Sequence, residues 1–433
     1  MRPIEQASFW LATRQHTLSP PLEDHAEADV AIVGAGFTGL WTAHFLRQLD
    51  PKLEIIVLEQ GVAGYGGSGR NAGIVSPCLD HSPALAAVHF GRDEAARLAE
   101  IRRRNIDDLA AFAGTDCGFE RTGQLHVALT SAQLEVCQRM PGFLDAEQVR
   151  SELDSPLYLG AAFDPDAGII NPIKLVDKLR RGVTLFERTP ATRIAGNAIR
   201  TPQGEVRARK IVLATNAYSH HLLPRLLRHF IPLYDYILVS EPLTEMQRAA
   251  IGWRRRQAVT DGRTFFNYYR LTTDDRILWG TSEAVYYRGN RVDEGCDHSE
   301  RHYAALQESF LRHFPQLAGL KWEYAWGGPI ASTTRLTPFF GATGDMIYAL
   351  GYTGHGIGST RLAGKILAHM AVAQPSDLLS LQMVQRKPFP YSPEPVRSWE
   401  VRVVTQSLRR VDAGGKPSML LRILDALGIG FSS

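Results

Sequence analysis

Asp29-Val30-Ala31-Ile32-Val33-Gly34-Ala35-Gly36-Phe37-Thr38-Gly39-Leu40 decides the fold of this chain. After Asp29, Val30–Val33 form a continuous apolar run, the pattern of a strand covered on both faces. Leu40, Ala43, Phe45 and Leu46 then recur at helical spacing, and Ile55-Ile56-Val57-Leu58 reads as the next strand. Strand, glycine turn, helix and strand within about thirty residues make one βαβ unit of a parallel sheet. Each glycine has a physical task. Gly34 permits the tight turn, Gly36 lets a pyrophosphate approach bare backbone, and Gly39 lets helix and strand pack closely. The helix N-terminus offers free N–H groups and a partial positive charge to phosphate. Glu59 closes the second strand 20 residues beyond Gly39, placed to accept hydrogen bonds from ribose hydroxyls.

Outward from that unit, the 433 residues suffice for two or three domain-sized cores, and 44% of them are hydrophobic. The formal charge of +3 is too even to argue for nucleic acid. Cys78, Cys117, Cys137 and Cys296 lie far apart, a pattern of reduced thiols with no metal site. Residues 1–21 lack a secretory apolar core, and no window approaches the ~18 apolar residues of a membrane span. A cytoplasmic location is the expectation.

Farther along, Gly123–Leu129, Tyr234–Val239 and Phe265–Trp279 alternate like antiparallel strands rich in Tyr and Phe. Thr184–Phe186, Ile211–Asn216 and Met346–Leu350 return to buried-strand runs. The fold class expected is therefore α/β: a Rossmann-like, doubly wound parallel sheet with an inserted α+β substrate domain on a mixed or antiparallel sheet. The expected boundaries are 1–80, 151–220 and 330–390 for the dinucleotide domain, 81–150 and 221–329 for the substrate domain, and 391–433 for a C-terminal extension. That extension closes with an amphipathic helix at Met419–Leu424, suited to dock on the body or on a partner.

Two further loops separate FAD from NAD. Gly64–Gly73 is glycine-rich and embeds Ser68, Arg70, Asn71 and Ala72, giving small side chains where backbone passes close to a ring or phosphate. Gly351-Tyr352-Thr353-Gly354-His355-Gly356-Ile357-Gly358 leads into a helix from about Ser359. Its N–H groups suit the negative charge of a reduced flavin.

These motifs, with Gly123-Gln124-Leu125, Ala214-Thr215-Asn216-Ala217-Tyr218 and Tyr268-Tyr269-Arg270-Leu271-Thr272, make the chain resemble the FAD-dependent oxidoreductases of the D-amino-acid oxidase/glycine oxidase superfamily. The resemblance is strongest to the γ-glutamylputrescine oxidoreductase branch and runs from about Ser8 to Pro390. It implies FAD in extended form and hydride removal from a carbon bearing nitrogen, followed by imine hydrolysis. Carried over, Gly34, Gly36, Phe37, Thr38, Gly39, Glu59, Ser68, Arg70, Asn71, Ala72, Gly73, Ala191, Ala214, Thr215, Gly354, Gly356, Ile357 and Gly358 form the cofactor set. Some members of the superfamily attach FAD through a Cys before the last glycine loop or a His by the glycine-rich loop; Trp326–Phe340 contains no Cys and Ser68–Gly73 no His, so the resemblance implies non-covalent FAD.

On the substrate side, His355, Tyr268 and Arg335 are the candidate catalytic residues, with Tyr234, Tyr236, Tyr269 and Arg270 as neighbours. Tyrosines can wall an alkylammonium by cation–π contact or simply fill a sheet core. His355 is either a substrate or flavin contact or a loop histidine bonded to backbone. Arg335 facing the flavin would grip a carboxylate. The expected partners are a small amine and oxygen or another electron acceptor. Oxidation of a free α-amino acid, and a flavoprotein subunit passing electrons to a partner, are the alternatives.

Overall fold

The computed structural model describes residues 2–77 and 83–429; Cys78 lies outside the described residues. In chain order its principal strands are β1 (His25–Val33), β2 (Ile55–Leu58), β3 (Gln124–Ala128), β4 (Phe143–Asp145), β5 (Gly160–Asp164), β6 (Thr184–Phe186) and β7 (Glu205–Leu213). They continue with β8 (Ile231–Ser240), β9 (Ala258–Asp261), β10 (Asn267–Leu271), β11 (Ile277–Thr281), β12 (Trp322–Ser332), β13 (Phe339–Thr343) and β14 (Met346–Leu350). The helices that shape the site are α1 (Phe37–Leu49), α2 (Arg92–Ala113), α3 (Ser131–Arg139), α4 (Glu300–His313), α5 (Gly356–Ala371), α6 (Val396–Asp412) and α7 (Met419–Ala426).

The first sheet runs β13-β14-β7-β1-β2-β6. β14, β7, β1, β2 and β6 are mutually parallel, and β13 closes the edge antiparallel to β14. From β1 the chain winds outward through β2 and β6, then returns to β7 on the other side of β1. That reversal is a topological switch point, and ligands bind beyond the carboxyl ends of strands there. Both faces are covered. Ile32, Leu40, Trp41, Ala363 and Ile366 form the core under α1 and α5, and Ala31, Val33, Ile211, Leu213 and Phe230 form the opposite one. Continuous burial along Val30–Val33 and Ile55–Leu58 is what a doubly covered strand requires.

The second sheet runs β12-β8-β11-β10-β9-β3-β5-β4 and is antiparallel except for the β9/β3 pair. Its outer face packs α4 through Tyr269, Trp279, Phe310 and Phe314. Its inner face looks toward the first sheet. The changeover between domains differs from the boundary expected at 151, because β5 pairs with both β3 and β4 and so belongs to the second sheet. The stretch read as one strand from Phe265 to Trp279 is a hairpin, β10 and β11, turning at Asp275 with φ +61°. α5 begins at Gly356, one turn before the expected Ser359. No helix among the described residues is long and apolar enough to cross a membrane.

Candidate active site

The carboxyl ends of β1, β2, β7 and β14 open into one cavity of about 1280 Å³ that continues onto the inner face of the second sheet. At its first end β1 stops at Gly34, whose φ of +106° is reserved in practice for glycine. A Cβ at Gly34 would stand 2.8 Å from the Ala214 carbonyl oxygen, so the turns after β1 and β7 pack as closely as glycine allows. Gly36 caps α1, and a Cβ there would meet only Ser68 Oγ, at 3.0 Å. The space before the helix N-terminus is therefore open, as a phosphate needs. The Phe37 N–H donates to Ser68 Oγ at 2.8 Å. Gly39 does not line the cavity; a Cβ there would run into the Gly34 carbonyl, so its task is helix–strand packing.

Glu59 sits at the end of β2, accepting from the Ala35 N–H at 2.9 Å and the Gly61 N–H at 3.0 Å. Burial pushes its carboxyl up to about 7, against the pull of those two donors and with a push from nearby Glu187. Each carboxylate oxygen keeps acceptor capacity for a ribose hydroxyl. Ala191, Ala214 and Thr215 line the same end.

The glycine-rich loop is braced from several directions. Ser8 Oγ donates to the Gly69 carbonyl at 2.6 Å, Trp10 Nε1 to the Asn71 carbonyl at 2.7 Å, and Trp326 Nε1 to the Arg70 carbonyl at 2.9 Å. Arg270 Nη1 donates to the Gly73 carbonyl at 2.7 Å and the Ile170 carbonyl at 2.9 Å. The Asn71 amide bonds Gly67, Ser68 and Gly73 backbone within the loop. Arg70 lines the cavity, but its guanidinium turns to Asp297 Oδ1 at 2.7 Å and to the Tyr65 and Gly327 carbonyls. Ser8, Trp10 and Trp326 were missed because nothing local in sequence ties them to residues 64–73.

At the far end Thr353, with φ +43°, and Gly354, with φ +89°, turn the chain into α5, whose cap is His355. Gly354, His355, Gly356, Ile357 and Gly358 all face the cavity. Thr38 Oγ1 on α1 donates to the Tyr352 hydroxyl at 2.9 Å, joining the first turn to the last loop.

The substrate half is made by β8 and β10. Leu233, Asp235 and Ile237 face the cavity along β8, and Tyr268 faces it from β10. The Tyr268 hydroxyl donates to Asp235 Oδ2 at 2.5 Å. Tyr234, Tyr236 and Tyr269 point the other way, into the core against α4, so they are not substrate walls. Arg335 requires a second correction. Its guanidinium is buried behind the cavity, donating to the carbonyls of Arg386, Pro338 and Met383 at 2.7–2.8 Å. Those carbonyls claim the donors that a substrate carboxylate would need. Asp235 was missed in the sequence because it sits between two tyrosines that drew attention to the wrong face of β8.

The roof comes from the C-terminal extension: Val401, Val404 and Leu408 of α6, with Leu420 and Leu424 of α7, line the cavity. Asp412 anchors α6 by accepting from the Thr264 and Phe265 N–H groups at 2.7 and 2.9 Å.

The open cradle at Gly36, the carboxylate at the end of β2 and a single cavity joining the two glycine loops fit an extended FAD. Comparison with known proteins agrees. The model of the FAD dependent oxidoreductase (DAO) family matches residues 29–370. The γ-glutamylputrescine oxidoreductase of Escherichia coli (strain K12) is 30% identical over 417 residues, 89% of this chain and 94% of that one. The probable oxidoreductase OrdL of Haemophilus influenzae is 28% identical, covering 94% and 97%. Among solved structures, glycine oxidase from Geobacillus kaustophilus superposes with a TM-score of 0.65 at 19% identity, over 82% of this chain and 99% of that one. The chain belongs to the FAD dependent oxidoreductase family and is an FAD-dependent amine or amino-acid oxidoreductase.

Proposed function

We propose that the chain oxidises a small primary or secondary amine by hydride removal from the carbon bearing nitrogen, the imine then being hydrolysed to an aldehyde or keto product plus amine or ammonia. A γ-glutamylated polyamine, an N-methyl amino acid and an aminoalkyl acid or phosphonate are the substrate types considered. The observation that carries the reading is the inner face of the second sheet, where the cavity meets a carboxylate and apolar walls. The arginines lining the cavity are both engaged, Arg70 by Asp297 and Arg263 by Asp261. With Arg335 also turned away, both arginines that line the cavity among the described residues already carry an acidic partner, Arg70 keeping only its buried Nη2 unpaired, which favours amines over free α-amino acids. The relative named for γ-glutamylputrescine supports the same direction.

FAD, when bound, supplies the acceptor for the hydride. The chain's residues do the rest. Gly34, Gly36, Phe37, Thr38, Ser68 and Glu59 would hold the adenosine and pyrophosphate, and Ala72, Gly73 and Gly354–Gly358 would hold the ring, without a covalent link. Phe265 and Phe266, with Val401, Val404 and Leu408, line the cavity with apolar surface that would exclude water and help position a substrate, and positioning of that kind supplies much of such a rate. The test is an anaerobic screen of amines and α-amino acids against the yellow protein, following loss of the flavin band. Bleaching by amines is expected; bleaching by free α-amino acids alone would overturn the proposal.

A further inference from the structure

The two-fold alternation of β8 makes Asp235 an anomaly. Its neighbours on the cavity face are Leu233 and Ile237, and directly across on β12 stands Gly328. Tyr268 reaches it from β10 by crossing β11 over Gly280, where any Cβ would run into the tyrosine ring. Two donors serve the carboxylate: the Tyr268 hydroxyl on Oδ2 and the Tyr236 N–H on Oδ1 at 2.8 Å. The charged groups around it are already engaged. Arg70, beyond Gly328, pairs with Asp297, and Arg263, on the loop after β9, pairs with Asp261. No lysine lines the cavity among the described residues. An ionised carboxylate offers about four acceptor positions, so about two remain open toward the cavity.

We infer that Asp235 receives the ammonium of the substrate and takes its proton before oxidation, with Tyr268 positioning the carboxylate; the inference rests on the amine reading above. An alkylammonium stays protonated below about pH 10 and has no electron pair to expel a hydride. Transfer breaks one N–H bond and forms one O–H bond on Asp235, leaving the pair on nitrogen. FAD, when bound, would accept the hydride with its two electrons from the adjacent carbon, leaving an iminium that water hydrolyses. The Asp235 proton returns to solvent when product leaves. Burial without a countercharge pushes this carboxyl up to about 7, tempered by the Tyr268 hydroxyl and the Tyr236 N–H. An acceptor near the working pH is what proton transfer favours. The site thus favours cationic amines, the arginines that line the cavity among the described residues each being paired with a carboxylate.

The experiment is calorimetric titration of the flavin-loaded protein with tert-butylammonium, which has no C–H on the carbon bearing nitrogen and cannot be oxidised. Wild type should bind it about tenfold more tightly at pH 8 than at pH 6, as Asp235 ionises. Asp235→Asn should bind at least about tenfold more weakly at pH 8, with no pH dependence. Tyr268→Phe, which keeps the carboxylate, should move the midpoint upward, and it answers the question should the Asn variant fail to fold. Equal binding by Asp235→Asn with full flavin, or an unmoved midpoint in Tyr268→Phe, overturns the inference. If amines still bleach the wild-type flavin in either case, the proposed reaction stands without it. If no amine bleaches wild type, the reaction itself falls and the inference with it.

Discussion

Two glycines three residues apart in the turn after β1 should fail for different reasons when given a methyl group. At Gly36 the backbone is extended, φ −80° and ψ −176°, which alanine adopts freely. Its added Cβ meets only the Ser68 side chain, Oγ at 3.0 Å, which can give by a few tenths of an ångström by loosening its bond from the Phe37 N–H. Gly36→Ala should therefore fold with a denaturation midpoint close to wild type. What the methyl occupies is the space before the α1 N-terminus, where a pyrophosphate would sit. Overpacking by one methyl costs about 1–3 kcal/mol, or about 5–150-fold in the Kd for FAD. At Gly39 the added Cβ runs into the Gly34 carbonyl, with Ile32 Cγ2 at 3.1 Å and the Gly34 carbonyl carbon at 3.2 Å. Relief requires α1 to move off β1, so Gly39→Ala should lose about 3 kcal/mol or more of folding stability whether or not flavin is present. Urea unfolding of the flavin-free proteins and fluorimetric FAD titration separate the two effects. A Gly36→Ala protein that binds FAD as tightly as wild type would refute the placement of the phosphates. A Gly39→Ala protein of wild-type stability would refute the packing argument.

Three other outcomes are expected. Glu59 has a folded-state pKa raised to about 7, so its contribution to stability is full below its unfolded value and lost as pH rises through 7. That rise from the ordinary 4.5 is worth about 3 kcal/mol; flavin-free wild type should lose that much more than Glu59→Gln between about pH 4.5 and 7.5 in urea unfolding, and parallel curves would contradict it. Arg335→Met strands three backbone carbonyls and should cost about 3 kcal/mol or more. The flavin-loaded variant should keep its KM for amine within about twofold; a tenfold rise in KM at unchanged stability would restore Arg335 to the substrate. Acid precipitation should free all the flavin into the supernatant, and colour held in the pellet would show a covalent link.

The opening unit was readable because its information is local. Strand, turn, helix and acidic residue all fall between Asp29 and Glu59, and each glycine's task follows from distances within the turn. The order of the second sheet was not readable for the opposite reason. β9 lies parallel to β3 with about 130 residues between them, and neither sequence carries a mark of the other. Arg335 shows the same limit in a single side chain. Its carbonyl partners at Met383 and Arg386 come some fifty residues later, so a buried structural arginine looked like a free cation beside a Thr-Pro turn.

Asp235 shows what alternation can and cannot tell. Period two assigns Tyr234, Tyr236 and Leu238 to one face of β8 and Leu233, Asp235 and Ile237 to the other. It does not say which face meets the cavity. A strand with two tyrosines invites the reading that the aromatic face is functional, since tyrosine both packs and bonds. Here those rings instead fill the core against α4, and the Tyr236 hydroxyl donates to the Cys296 carbonyl at 2.8 Å. The face with the single acid is the one left open. Burying a carboxyl without a countercharge costs several kcal/mol unless it is protonated or a ligand brings the charge. A fold that keeps Asp235 there, with Gly280 clearing the way for Tyr268 to hold it, accepts that cost at a position where a cationic substrate would repay it.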